Sequence, residues 1–473
     1  MTDEAIVDTI STQTSLSGRI GEHAAAFSIR DIPEEVRTRG MHLMLDAVGI
    51  AFASTTYDFS RVTLNALREL SAGAADVPVI GMGVGLSARD AAVMNALLMH
   101  GLDYDDTHPR GVVHPSTSVL PTVLSQGSML RSSGASMLAA YVLGVEVITR
   151  LASAAGGAFH QVGFHPTGLI GAFGCAVAAG HLQGLDAGQQ THAQGIVLSM
   201  ASGSLEFLQD GAWTKRIHPG WAAQAGITAA TLARHGFVGP REAYEGRFGL
   251  YKSHLGQDFP ADQLVQEVAS LGETWELLNV AVKPIPACHF THACIDAAAA
   301  LSRQVDVKAL RRIVAKVPAG VMKTVCEPVE AKKAPDNGYE AQFSIPYAVA
   351  RALRFGGFDL KALDREAYTD AETVALARKV ECVADPDADF PRYFSGEVEL
   401  ELADGSRLSH RESVNRGAGT RPIGNADILV KYRENTAGIL EPARADQIIE
   451  ALLNIESHDA TELLTLLNQK GNE

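Results

Sequence analysis

The chain has 473 residues, 46% of them hydrophobic and 20% charged, which supports a sizeable buried interior and is more than one ordinary domain holds. A net charge of −15 with no Lys/Arg-rich run argues against nucleic acid and anionic membrane surfaces as partners. Five cysteines (Cys175, Cys288, Cys294, Cys326, Cys382) with no C-x-x-C spacing argue against a disulfide framework and fit a reducing compartment.

The N-terminal "MTDEAIVDTI" is acidic and lacks the basic and apolar regions of a signal peptide, so the expected localisation is cytoplasmic. From there to about residue 275 the pattern is helix after helix. Asp31 is expected to cap a helix opened by Pro33, with Met41, Met44, Leu45 and Val48 on its apolar face. Ser87, with Asp90 three residues on, predicts a second helix start, and Gly101 its end. That helix delivers Asp103 to Asp106 onto the loop beyond, and Pro115 opens the next helix. "GASMLAAYVLGVEVITRLASAA" is a third strong helical pattern. "TGLIGAFGCAVAAGHLQGL" is the most apolar run and reads as a buried helix; no stretch reads as a membrane span. After about residue 280 the period changes. "RRIVAKVPAG" alternates through Ile313, Ala315 and Val317. "GEVELELADGSRLSH" alternates through Val398, Leu400 and Leu402 and turns at Asp404-Gly405, with helical patterns interleaved at 291–303, 345–355 and 371–379. The tail from Ala445 is helical again. "GMGVG" at 81–85 lacks the surroundings of a dinucleotide loop and reads as a turn.

"HGLDYDDTHPRGVVHP", residues 100–115, gathers acids and histidines. Asp103, Asp105, Asp106, His108 and His114 supply enough ligands for a metal, but their spacing matches neither H-E-x-x-H nor a calcium loop. Proton chemistry and a plain capping loop are the other readings. Cys288, His289, His292 and Cys294 in "KPIPACHFTHACIDAA" also look zinc-like, yet a helix start at Thr291 would not bring them together. Lys215 and Arg216 in "GAWTKRIHPGWAAQAG", Lys283 after "LLNVAV" and His165 in "GFHPTG" are cationic or titratable groups beside apolar segments. Lysines so placed are often surface residues with buried stems, but gathered near helix N-termini they make an anion pocket.

Taken in order, "LDAVGIAFAS", "HGLDYDDTHPRGVVHPS", "GFHPTG", "WTKRIHPGWAAQAG" and "VKPIPACHFTHA" resemble the MmgE/PrpD family of 2-methylcitrate dehydratase, cis-aconitate decarboxylase and iminodisuccinate epimerase. The resemblance implies a mainly α fold. A large all-helical domain built from both chain ends (1–277 and 411–473) would carry a smaller α+β lid (278–410), in a homodimer with no metal or organic cofactor. Carried over by motif, the site would hold Asp103 and Thr107, His114, His165, Lys215, Lys283 and Tyr347, with Tyr339 close by in sequence. The chain departs from the decarboxylase pattern at His108, which stands where those enzymes have tryptophan, and in one extra residue before His114, with Arg110 between.

The chemistry implied is proton movement next to a carboxylate of a small polycarboxylic acid. Lys215, Thr107, Arg216 and Arg110 would hold carboxylates. Lys283, His114, His165 and Tyr347 would supply base and acid, and Asp103 would orient one of them. The altered loop and Arg110 favour epimerisation of iminodisuccinate, ahead of a lyase on a citrate-like acid. A non-catalytic polycarboxylate binder and a metal-dependent hydrolase are the competing classes.

Overall fold

Helical and strand-forming stretches separate along the chain, and their cores separate in space. The computed structural model describes residues 15–71, 76–259, 262–417 and 419–469. The acidic N-terminal decapeptide lies outside the described residues. The larger core draws on helices from Leu16–Ala26 to Thr214–Arg234 and on the returning helices Asn425–Thr436, Pro442–Leu453 and Ala460–Asn468. The smaller forms between residues 285 and 400, around the helices His292–Ser302 and Ile345–Phe355 and a four-stranded sheet.

In that sheet Val380–Asp385 runs parallel to Leu310–Pro318, which pairs antiparallel with Gly396–Leu402, and that with Arg407–Glu412. Ile313 faces Leu400 and Ala315 faces Val398 in register, all four buried, so the period-2 alternation puts one apolar face on the core. Gly405, at φ 85°, makes the hairpin turn.

Three local expectations shift. Pro33 takes the cap position of Glu34–Ser54 rather than the first helical turn. Asp31 does not cap it: its carboxylate accepts from the Ser28 N–H at 2.7 Å and closes the preceding turn. The Gly134–Ala154 helix is long and apolar enough to cross a bilayer, contrary to the sequence expectation, yet Met137 to Ala154 are all buried against neighbouring helices. Its partner helix Gly171–Leu182 sits so close to Thr214–Arg234 that a Cβ on Gly226 would lie 2.5 Å from that of Cys175. The Gly/Ala content of these helices permits that approach.

Candidate active site

The Ala88–His100 helix ends at Gly101 without a left-handed residue. Glycine is needed there for room: a Cβ would lie 2.4 Å from the Phe59 ring. The left-handed turn falls two residues later on Asp103, at φ 49°, and re-aims its carboxylate inward. The loop is then pinned from three sides. Thr107 and Ala281 exchange two backbone hydrogen bonds of 2.8 Å. Lys431, from the returning C-terminal helix, donates to the Tyr104 carbonyl at 2.8 Å and pairs with buried Asp46 at 2.8 Å. The Gln342 amide, from the smaller core, donates to the Leu102 carbonyl.

Two lysines meet on Asp103. Lys215 enters from the first turn of Thr214–Arg234 and pairs with Oδ1. Lys283, fully buried two residues past the Ala281 bridge, lies 3.1 Å from the same oxygen and donates to the Asp103 carbonyl at 2.8 Å. Burial alone would raise the Asp103 carboxyl, but Lys215, Lys283 and His114 outweigh it and hold it well below the ordinary carboxylate range. Oδ2 has no partner and is buried.

Histidines complete the wall. The His114 Nδ1 lies 2.7 Å from the Asp106 carbonyl, which can only accept, and 3.2 Å from Asp105 Oδ2. Nδ1 therefore carries the proton, and neutral His114 keeps its lone pair on Nε2. His100 Nδ1 bonds the same Asp105 oxygen at 2.7 Å. His165, at the cap position before Pro166–Leu169, places Nδ1 3.0 Å from His218 Nδ1. Burial pushes all these imidazoles down. For His114 the Asp105 carboxylate pulls partly back, whereas for His165 the neighbours His218 and Lys215 add to burial. His100 falls to about 4, again first through burial. Burial pushes Asp106 up to about 7, although the hydrogen bond from Ser116 pulls the other way.

Of these groups Asp103, His114, His165, Lys215 and Lys283 line a narrow cavity together with Thr107, His160, His289 and Thr324. Its remaining lining is Cys288 and hydrocarbon, with Phe207, Phe290, Phe343 and Phe394 the largest contributors. Six of the expected residues (Asp103, Thr107, His114, His165, Lys215 and Lys283) thus share one cavity.

The nearest thing to a metal-binding set among the described residues is His100, Asp105 and His114, whose ligand atoms lie within 4.8 Å of one another. His100 Nδ1, however, is committed to an Asp105 oxygen and His114 Nδ1 to the Asp106 carbonyl, each at 2.7 Å, and an ion would have to break up those hydrogen bonds. In the zinc-like set the His289 and His292 rings lie 4.7 Å apart, but three of its members are engaged by different protein groups. His292 bonds the Ala287 carbonyl at 3.0 Å, His289 bonds Asn415 at 2.7 Å, and Cys294 lies against the Lys316 carbonyl.

Other expected residues stand elsewhere. The Arg110 guanidinium, about half exposed, pairs with Glu267 at 2.7 Å and Glu276 at 3.6 Å on the far side of the loop. His108 faces the same way, 2.8 Å from Glu276. The loop departures therefore point away from the cavity. Tyr347 is buried in the smaller core, its hydroxyl donating to the Ala362 carbonyl at 2.6 Å, and is not part of the site. Tyr339 does not line the cavity either; Arg216 stacks on it at 4.2 Å and donates Nε to the Gly101 carbonyl, so Arg216 braces the loop from behind. We expect Arg110→Ala and Tyr347→Phe each to change kcat/KM by less than about threefold, with Tyr347→Phe costing about 1 kcal/mol of stability, read by steady-state kinetics and thermal melts.

Sequence reasoning missed His160, Thr324 and the supporting His100 and His218. His100 was visible as the helix-end histidine five residues before Asp105, and His218 stands inside the quoted lysine motif. Nothing local marks Thr324.

A helical body and a smaller α+β unit meeting at a pocket of paired lysines and buried imidazoles define an enzyme-like class of architecture. The model of the MmgE/PrpD N-terminal domain matches residues 18–262 and that of the MmgE/PrpD C-terminal domain residues 285–456. The chain belongs to the MmgE/PrpD family. It is 27% identical over 453 residues to the human cis-aconitate decarboxylase, covering 92% of this chain and 91% of the relative. It is 26% identical to the cis-aconitate decarboxylase of Aspergillus terreus over 483 residues, 96% of each chain, and 26% identical to the mouse enzyme over 459 residues, 93% and 90%. These relatives are lyases.

Proposed function

We propose that the protein is a lyase that removes CO2 from a small unsaturated tricarboxylic acid of the cis-aconitate kind. The observation that carries this reading is the mixed lining of the cavity: the ammonium groups of Lys215 and Lys283, the Asp103 carboxylate, the Thr107 hydroxyl and the His114 and His165 imidazoles beside bare hydrocarbon. Lys215, Lys283 and Thr107 hold two carboxylates. A third carboxylate, pressed against Phe207 and Phe290, loses its hydration and gains by leaving as neutral CO2. The C–C electron pair stays on the substrate and spreads into a carboxylate held by the lysines, where positive charge stabilises it. An imidazole N–H then protonates the carbon. His165 is the acid in this scheme, because His114 holds its proton on the side away from the cavity.

Epimerisation of iminodisuccinate, favoured from sequence, loses both supports: Arg110 and the altered loop lie outside the cavity, and the relatives are named for decarboxylation. A second reading keeps one observation. The lone pair on His114 Nε2 suits proton abstraction, as in dehydration of a hydroxy acid. Incubation with cis-aconitate in D2O separates the readings. The expected result is one CO2 lost and one deuterium gained on carbon per turnover. Alkene formation from a hydroxytricarboxylate with no CO2 would transfer the assignment to the dehydratases, and deuterium exchange with neither CO2 nor alkene would restore the epimerase.

A further inference from the structure

His165 and His218 confront each other through the same kind of nitrogen, Nδ1 to Nδ1 at 3.0 Å, with ring centroids 5.2 Å apart. Gly168 leaves room for this approach, since a Cβ there would lie 3.1 Å from that of His218. The groups around His218 are His165, His100 (which stacks on His165 at 5.7 Å) and Lys215 on its own helix, with Phe207 at 6.1 Å. Among the described residues no carboxylate is bonded to it, and burial, then His100 and Lys215, push His218 down to about 4. Both rings are therefore neutral near pH 7, and each carries one N–H. A bond between two Nδ1 atoms then requires opposite tautomers: one ring donates and the other accepts.

We propose that His218 is a positioning residue that sets the tautomer of His165 and connects it to solvent as a proton relay. When His218 Nδ1 carries the hydrogen, His165 is forced to carry its own on Nε2, the nitrogen left for the cavity, and is an acid. When the hydrogen sits on His165 Nδ1, the Nε2 lone pair makes His165 a base. Among the two rings His218 is the half-buried one, whereas His165 is buried. The transfer balances as follows: Nε2–H of His165 goes to the substrate carbon, Nδ1–H of His218 moves to His165 Nδ1, and a proton from bulk water lands on His218 Nε2. One proton enters the product for each CO2 that leaves. With product gone and water in the cavity, the tautomers exchange and the acid form returns. The kinetic half of this proposal rests on the lyase reading above, but the tautomeric half does not.

Two measurements test it. In protein labelled with 15N-histidine and free of substrate, His165 and His218 are expected to show complementary tautomers, and His218→Phe is expected to redistribute those of His165. An unchanged His165 spectrum in that variant would overturn the coupling, whatever the enzyme acts on. With cis-aconitate as substrate, His218→Asn retains a hydrogen-bonding atom at the Nδ1 position but cannot relay. It is expected to keep KM within about twofold while kcat falls about tenfold or more. His218→Ala is expected to recover part of its kcat when imidazole is added to the medium. Full kcat in His218→Asn, or no response of His218→Ala to imidazole, would leave only a packing role. If wild type turns over no polycarboxylate, the lyase reading fails while the spectroscopic result still decides the coupling.

Discussion

Replacing Lys283 with methionine is expected to lower kcat/KM on cis-aconitate by about a thousandfold. The ammonium is fully buried and reaches both the carbonyl and the carboxylate of Asp103, so it stands where a bound carboxylate would arrive already desolvated. Loss of one buried, charged hydrogen bond to an anion costs about 2–5 kcal/mol, and each 1.4 kcal/mol is about tenfold. Methionine matches the length and apolar stem, so no cavity opens among the neighbouring groups. Asp103 retains Lys215 as a partner, and the fold is expected to survive, as circular dichroism would show. Activity within tenfold of wild type in a folded Lys283→Met protein would remove Lys283 from the chemistry.

Asp103→Asn is expected to damage both activity and stability. Asparagine accepts the left-handed backbone at φ 49°, so strain is not introduced. What disappears is the single negative charge between two buried ammoniums. Breaking a buried pair by deleting one partner costs about 3–5 kcal/mol, and Lys215 and Lys283 lose the anion that fixes their positions. We expect kcat/KM to fall at least about a hundredfold. The stability loss has a defined pH dependence. The folded-state pKa of Asp103 is depressed below its unfolded value, so its contribution is present above the ordinary carboxyl range and is lost only as pH falls through the depressed value. Thermal or urea melts should therefore show a constant gap between wild type and variant from about pH 5 upward, closing in strong acid. A gap that persisted undiminished into strong acid, or widened as pH fell, would contradict this placement of the charge.

Much of the scaffold was legible because its periodicities are strong. The helix of "ARDAAVMNALLMHG" forms as expected, although packing buries residues 91–100 all round rather than along one stripe, and Ile313, Ala315 and Val317 are buried as their alternation predicts, with Val314 buried beside them. Helix starts were less legible, since a capping side chain has several nearby N–H groups to choose from, and Asp31 bonds Ser28 in preference to the helix after it. In the site, Asp103, His114, His165 and the two lysines were found by motif, and their convergence comes from contacts across more than a hundred residues, such as Lys283 to Asp103. Direction was not legible. Arg110 and His114 are four residues apart on one loop yet face opposite sides, because the chain turns back through Val112 at φ 51°. Tyr347 was misplaced for the same reason: one face of Ile345–Phe355 packs inward on its own core, and a short motif does not say which residue is on it.

The burial that keeps His160 near 4 and His289 near 3, and holds His114 and His165 down as well, has a consequence under mild acidification. Over the range in which free imidazole would charge up, these rings add no positive charge to the chamber. Asp106, raised by burial to about 7 behind the loop, does change its charge there, so a shift in acidity reaches this pocket through a hidden carboxyl and not through its histidines.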